Sequence, residues 1–138
     1  MPTMLGVLEA ALYADDLDAA RGFYGDVVGL EVITAKEGRH VFFRCGATVV
    51  LIFRAEATRE PPPPDALPVP PHGAEGAGHL CFSVPMAALD DWVDRLTGAG
   101  VAVESDFRWP NGARSVYVRD PAGNSVEFAS PKLWDMPE

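Results

Sequence analysis

The chain has 138 residues, of which 48% are hydrophobic and 22% charged, with a formal net charge of −9. That composition suits one folded domain with a real core and excludes a disordered polyelectrolyte. The acidity and the absence of basic clusters argue against nucleic-acid binding. No apolar run is long enough to cross a bilayer, the start lacks a basic segment and apolar core of a signal peptide, and Cys45 and Cys81 read as reduced residues. The expectation is a cytoplasmic protein with no membrane or nucleic-acid partner.

In chain order, Glu9 to Tyr13 reads as a strand. Asp15-Asp16 then offers a cap for a helix running to about Val28 on the stripe Ala20, Phe23, Tyr24, Val27 and Val28. Gly29 stops that helix, and strands follow from Leu30, over Val41–Cys45, and over Thr48–Phe53. The stretch from about Ala57 to Ala77 holds Pro61-Pro62-Pro63-Pro64, Pro68, Pro70 and Pro71, and reads as a semi-rigid linker. The pattern then repeats. His79 to Val84 is a strand, Pro85 opens a helix with the stripe Leu89, Trp92, Val93 and Leu96, and Gly98 and Gly100 close it. Val101-Ala102-Val103 begins the next strand; Ser115–Val118 and Ser125–Phe128 complete the set around the turn Asp120-Pro121-Ala122-Gly123-Asn124. Each half is strand-helix-strand-strand-strand, with module 1 at about 4–56, the linker at about 57–77, module 2 at about 78–130, and a short C-terminal tail.

Side chains alternate faces along a strand. Glu9, His79 and Glu127 therefore each stand on a strand face otherwise lined by small or weakly polar residues. If the three strands converge, one imidazole and two carboxylates surround a divalent ion.

The order Tyr13-Ala14-Asp15-Asp16-Leu17-Asp18, Phe23-Tyr24, Val28-Gly29-Leu30, Gly76 to Val84, Ala99-Gly100-Val101 and Arg119 to Phe128 resembles the vicinal oxygen chelate superfamily of glyoxalases, bleomycin-resistance proteins and extradiol dioxygenases. The resemblance covers nearly the whole chain. It implies an α+β fold in which two βαβββ modules form an open, metal-centred β-barrel. It also implies a likeness to dimeric proteins, hence a homodimer, and metal ligands at Glu9, His79 and Glu127. Relatives often carry His where Glu9 stands. One His and two carboxylates neutralise a divalent ion, which favours Mn²⁺, Mg²⁺ or Zn²⁺ over the iron of ring-cleaving oxygenases, with Ni²⁺ and Fe²⁺ further candidates. Glyoxalases resemble one another in a further ligand on the fourth strand; here Val50, Leu51 and Ile52 are apolar.

The expected function is therefore a divalent-metal-dependent enzyme acting on a small oxygen-chelating substrate. Its chemistry would be that of a lyase, an isomerase or an addition, through a metal-stabilised enolate or oxyanion. Glu9 and Glu127 are the candidate catalytic carboxylates. Ser115 and Tyr117 share one strand face as hydrogen-bond donors, Arg114 offers an anion clamp, and Trp109 and Trp134 offer aromatic walls. Phe43 joins the binding candidates, on the opposite strand face from Arg44. His40 reads as a rim residue and His72 as a linker residue able to cover a cavity mouth. The alternative is a metal-free, bleomycin-resistance-like protein that sequesters a drug or metabolite, its acidity suiting a cationic guest.

Overall fold

The alternating apolar strands pair into two four-stranded sheets, each with a helix laid over one face. The computed structural model describes residues 1–138, which divide into a first unit, Met1–Glu75, and a second, Gly76–Glu138.

In the first unit, β1 (Glu9–Tyr13), β2 (Glu31–Lys36), β3 (His40–Cys45) and β4 (Thr48–Phe53) lie in the order β1-β4-β3-β2. The β1–β4 pair is parallel and the others antiparallel. The Asp16 carboxylate accepts from Ala19 N–H at 2.9 Å and starts α1 (Leu17–Arg21). The single α-helix expected to about Val28 then widens into a π-helical segment, Gly22–Val27. Gly22 and Gly25 hold the α conformation weakly. The wider turn, closed by Val28 N–H to Phe23 O at 2.9 Å, brings Phe23, Tyr24 and Val28 onto the sheet together.

Phe43 belongs to that core. Its ring is fully buried, 5.9 Å from Tyr24, so it packs under the helix and the expected role in ligand contact is corrected. Arg44, on the other face, is exposed.

Ala57 and Thr58, expected to begin the linker, instead close the helical turn α2 (Ala55–Thr58). The end of the proline-rich stretch is fastened back onto the first unit. His72 N–H donates to Thr58 O at 3.0 Å, its Nδ1 lies 2.8 Å from the Tyr13 hydroxyl, and its ring packs edge-on against Phe53.

The second unit repeats the plan with β5 (His79–Ser83), α3 (Leu89–Gly98), β6 (Ser105–Arg108), β7 (Arg114–Arg119) and β8 (Ser125–Ala129), in the order β5-β8-β7-β6. Leu89, Leu96, Val116, Val118, Val126 and Phe128 are fully buried, and Trp92 stacks on Phe128 at 4.8 Å. Burying each such side chain contributes about 1.5–3 kcal/mol. The strand expected from Val101 begins only at Ser105. Val101 N–H is engaged by Leu96 O and Gly100 N–H by Thr97 O, with Gly100 at φ 80°, so these residues cap α3 before any pairing starts. The C-terminal tail forms a 3-10 turn, Pro131–Trp134, which alternation did not foreshadow.

The Asp120–Asn124 turn holds the second sheet in register. Asp120, 4% exposed, accepts from the backbone N–H groups of Ala122 and Asn124 and from Asn124 Nδ2, each at 2.9 Å. Asn124 Oδ1 in turn accepts from Gly78 N–H at 2.8 Å, immediately before His79. Asp120→Ala leaves buried donors unpartnered and is expected to lower unfolding free energy by about 2–3 kcal/mol. Urea midpoints compared with the exposed control Asp65→Ala test this; equal midpoints would refute the role given to the turn.

Candidate active site

The registers of β5, β8 and β7 set one face of the second sheet. His79 pairs with Ser125, Cys81 with Glu127, and Tyr117 with Glu127 from the other side. On that face His79 Nε2 lies 3.3 Å from Glu127 Oε1. His79 Nδ1 lies 3.0 Å from the Ser125 carbonyl oxygen. A carbonyl only accepts, so Nδ1 carries the proton and Nε2 faces the carboxylate with a lone pair or a second proton. A lone pair opposite a carboxylate is repulsive until a cation lies between them. A tetrahedral ion with ligand distances of about 2.0–2.1 Å holds two donors about 3.3 Å apart. The spacing and the fixed tautomer therefore fit a divalent ion as well as a proton.

Glu127 is 4% exposed, and its second oxygen is held from below. The Ser115 hydroxyl donates to Oε2 at 2.6 Å, and the Trp109 indole N–H donates to Ser115 Oγ at 2.8 Å. This relay leaves Oε1 directed to His79. Burial and then the Glu127 charge raise the Tyr117 phenol above its ordinary range. The same two causes push the Cys81 thiol up to about 12, so both groups stay neutral. Cys81 is an exposed residue whose thiol lies 3.7 Å from Phe82 O and also interacts with Glu127.

A cavity of about 430 Å³ opens beside this pair, bordered by Trp109, Tyr117, Leu133, Trp134 and Glu127. Trp109 and Tyr117 border this cavity, whereas Ser115 is fully buried beneath Glu127 and positions it. Arg114 points to the other face. It makes two bonds to Asp106 at 2.8 Å and one to Asp90 at 2.6 Å, so the expected anion clamp is corrected to a structural tie. Asn111, Pro110 and Leu133 also border the cavity. They come from a turn and a 3-10 segment, where no periodicity marks them.

Glu9 stands on β1 of the first unit, exposed, opposite Val49. No group of three or more His, Cys, Asp or Glu is placed to hold a metal ion. In the first unit His40 stacks on Phe42 at 4.0 Å; burial, then Arg39 and Lys36, lower its pKa. No helix is long and apolar enough to cross a membrane.

The sequence model of the Glyoxalase/Bleomycin resistance protein/Dioxygenase superfamily matches residues 6–128. The chain belongs to this superfamily. The crystal structure of lactoylglutathione lyase from Agrobacterium tumefaciens is similar at 46% identity and a TM-score of 0.93, over 98% of this chain and 100% of that one. A glyoxalase family protein from Bacillus anthracis shares the fold at 23% identity and a TM-score of 0.70, over 94% and 98% of the two chains. A virulence protein of Salmonella typhimurium is 28% identical over 86% of this chain and 78% of its own.

As a glyoxalase-superfamily chain it has two comparable sheets, and their registers show which positions correspond. Glu9↔Val49 and Ala11↔Leu51 in the first unit match His79↔Ser125 and Cys81↔Glu127 in the second. Leu51, 7% exposed and without a donor atom, is thus the counterpart of Glu127.

Ser115→Ala removes the buried donor from the Glu127 carboxylate, and the metal-free protein is expected to lose about 2 kcal/mol of stability. Chemical denaturation measures this, and an unchanged midpoint would show that the relay does not hold Glu127.

Proposed function

We propose that this chain is a divalent-metal-dependent enzyme of the glyoxalase superfamily, acting on a small substrate that presents two neighbouring oxygens. The observation that carries the reading is the His79–Glu127 pair, with Nδ1 tied to Ser125 O and Nε2 turned to the carboxylate at 3.3 Å. His79 and Glu127 are the proposed ligands, and Glu9 is proposed as the third from its place in the sequence alone. When bound, the ion supplies Lewis acidity towards substrate oxygens.

The chain's own residues do the remainder. The Ser125 carbonyl fixes the His79 tautomer, and Ser115, held by Trp109, fixes the Glu127 carboxylate. Tyr117, neutral and adjacent to Glu127 in the sheet, is a hydrogen-bond donor for a substrate oxygen. Trp109, Leu133 and Trp134 put apolar surface beside these groups. Both Glu127 oxygens are engaged, so Glu9, when it is not a ligand, is the carboxylate proposed to move a proton.

The 46% identity to a lactoylglutathione lyase supports lyase or isomerase chemistry. Leu51 leaves no fourth-strand ligand, which separates this chain from a four-ligand glyoxalase centre. The homodimer and the cytoplasmic setting belong to the same reading.

Elemental analysis and Mn²⁺ titration of the purified chain test it. Wild type is expected to bind near-stoichiometric metal, His79→Ala and Glu127→Ala to lose it, and Ser115→Ala to bind about 10–100-fold more weakly. Equal uptake by all four proteins, or none by any, would overturn the enzyme reading. Drug binding that survives chelator treatment would then make it a sequestering protein.

A further inference from the structure

The cavity beside Glu127 has mainly aromatic and apolar walls. Trp109, Pro110, Tyr117, Leu133 and Trp134 form most of them, Asn111 borders them as a neutral amide, and Glu127 is the one charged residue bordering the space. The Trp109 N–H is already donated to Ser115, so this side chain offers the cavity its ring surface. Tyr117 lies in a row of rings, parallel to Phe107 at 5.9 Å and stacked with His79 at 6.3 Å, while Phe107 meets Trp109 at 4.9 Å. Trp134 is 77% exposed, a large apolar ring left in water at the cavity edge. Its 3-10 turn is fastened by Asn111 Nδ2 donating to Lys132 O at 3.0 Å and by Met136 N–H to Pro131 O at 3.0 Å. The volume of about 430 Å³ lies within the range of small-molecule sites, about 300–1,000 Å³.

We propose that this cavity takes an uncharged aromatic group of the substrate, with Trp109 and Trp134 as specificity-determining residues and the oxygen-bearing end turned to His79 and Glu127. The inference rests on the metal-enzyme reading for the oxygen end alone; the ring end does not need the ion. An anionic tail would meet Glu127 and find no cation among the bordering residues, so the site selects against it. A flat ring gains stacking on Trp134 beyond its area burial, and covering Trp134 removes exposed apolar surface.

The test has two arms, both with the full chain. In the first, 2-naphthol and 2-naphthoate are titrated into chelator-treated wild type and Trp134→Ala, with binding followed by calorimetry and saturation-transfer NMR. Trp134 lies at an exposed edge, and circular dichroism checks that the variant is folded. The expected result is that 2-naphthol binds wild type about tenfold more tightly than it binds Trp134→Ala, and more tightly than 2-naphthoate binds wild type. No binding, or equal binding to both proteins, overturns the proposal.

In the second arm, Mn²⁺-loaded protein is titrated with acetohydroxamate and benzohydroxamate, which share an oxygen-chelating head and differ in the ring. Benzohydroxamate is expected to bind about tenfold more tightly, and Trp134→Ala to erase that advantage. Equal affinities for the two compounds overturn the ring pocket and leave the metal reading standing. Failure of both to bind, with 2-naphthol still bound in a Trp134-dependent way, sinks the metal reading and upholds the pocket.

Discussion

The parallel pairing of β5 with β8 is the constraint on which the candidate site depends, because a slip of one residue would turn His79 or Glu127 to the opposite face. Two ends of a single side chain prevent that slip. Asn124 donates to Asp120 from its nitrogen and accepts from Gly78 through its oxygen, so the turn before β8 grips the residue before β5. Both side chains are nearly inaccessible to water, where an unsatisfied polar group costs more than the bond itself contributes. The glycine and proline in the same turn shape the backbone, and Gly123 adopts φ 87° to close it. The turn is thereby a positioning device for chemistry that stands one residue beyond its reach.

The second constraint is electrostatic. Glu127 is a carboxylate placed where only 4% of its surface sees solvent, and such a group is tolerated when its oxygens are engaged. One oxygen receives the Ser115 hydroxyl; the other faces an imidazole whose remaining nitrogen is already bound to a backbone carbonyl. The consequence is directional. The place between Nε2 and Oε1 favours positive charge, a proton or a cation. Burial first, and then the Glu127 charge, raise the Tyr117 phenol and the Cys81 thiol, since a carboxylate opposes two further negative charges beside it.

The two units show how one plan supports different surfaces. Their sheets share strand order and register, yet where the second has Glu127, Ser125 and His79, the first has Leu51, Val49 and Glu9. Leu51 is nearly buried without a polar partner, and the neighbouring Phe53 packs against Tyr13 and His72. The first unit has in this way turned part of a potential ligand face into aromatic packing that fastens the end of the proline-rich segment. A repeat at the level of fold does not oblige a repeat at the level of chemistry.

Alternation along Glu9–Tyr13, His79–Ser83 and Ser125–Ala129, the helical stripe ending at Leu96, and the punctuation by Gly29 and Gly100 made the eight strands and the main helices legible in the sequence. Those are local properties, governed by period and by residues with special backbone freedom. The widening of the first helix after Arg21 was not legible, because it is a change in the segment's own hydrogen-bond step, and neither was the late start of β6, because α3 claims the N–H groups of Gly100 and Val101 first. Phe43 and Arg114 carried the right chemistry for a binding site on the wrong faces, since which side of a sheet meets the helix is a tertiary choice. The sequence by itself determined that His79 and Glu127 would stand on strand faces of the second half. Only the tertiary structure decided that β5 and β8 are neighbours, that Ser115 and Trp109 lock the carboxylate from beneath, and that the C-terminal turn brings Trp134 beside it. Those contacts join residues far apart along the chain, and no local period encodes them.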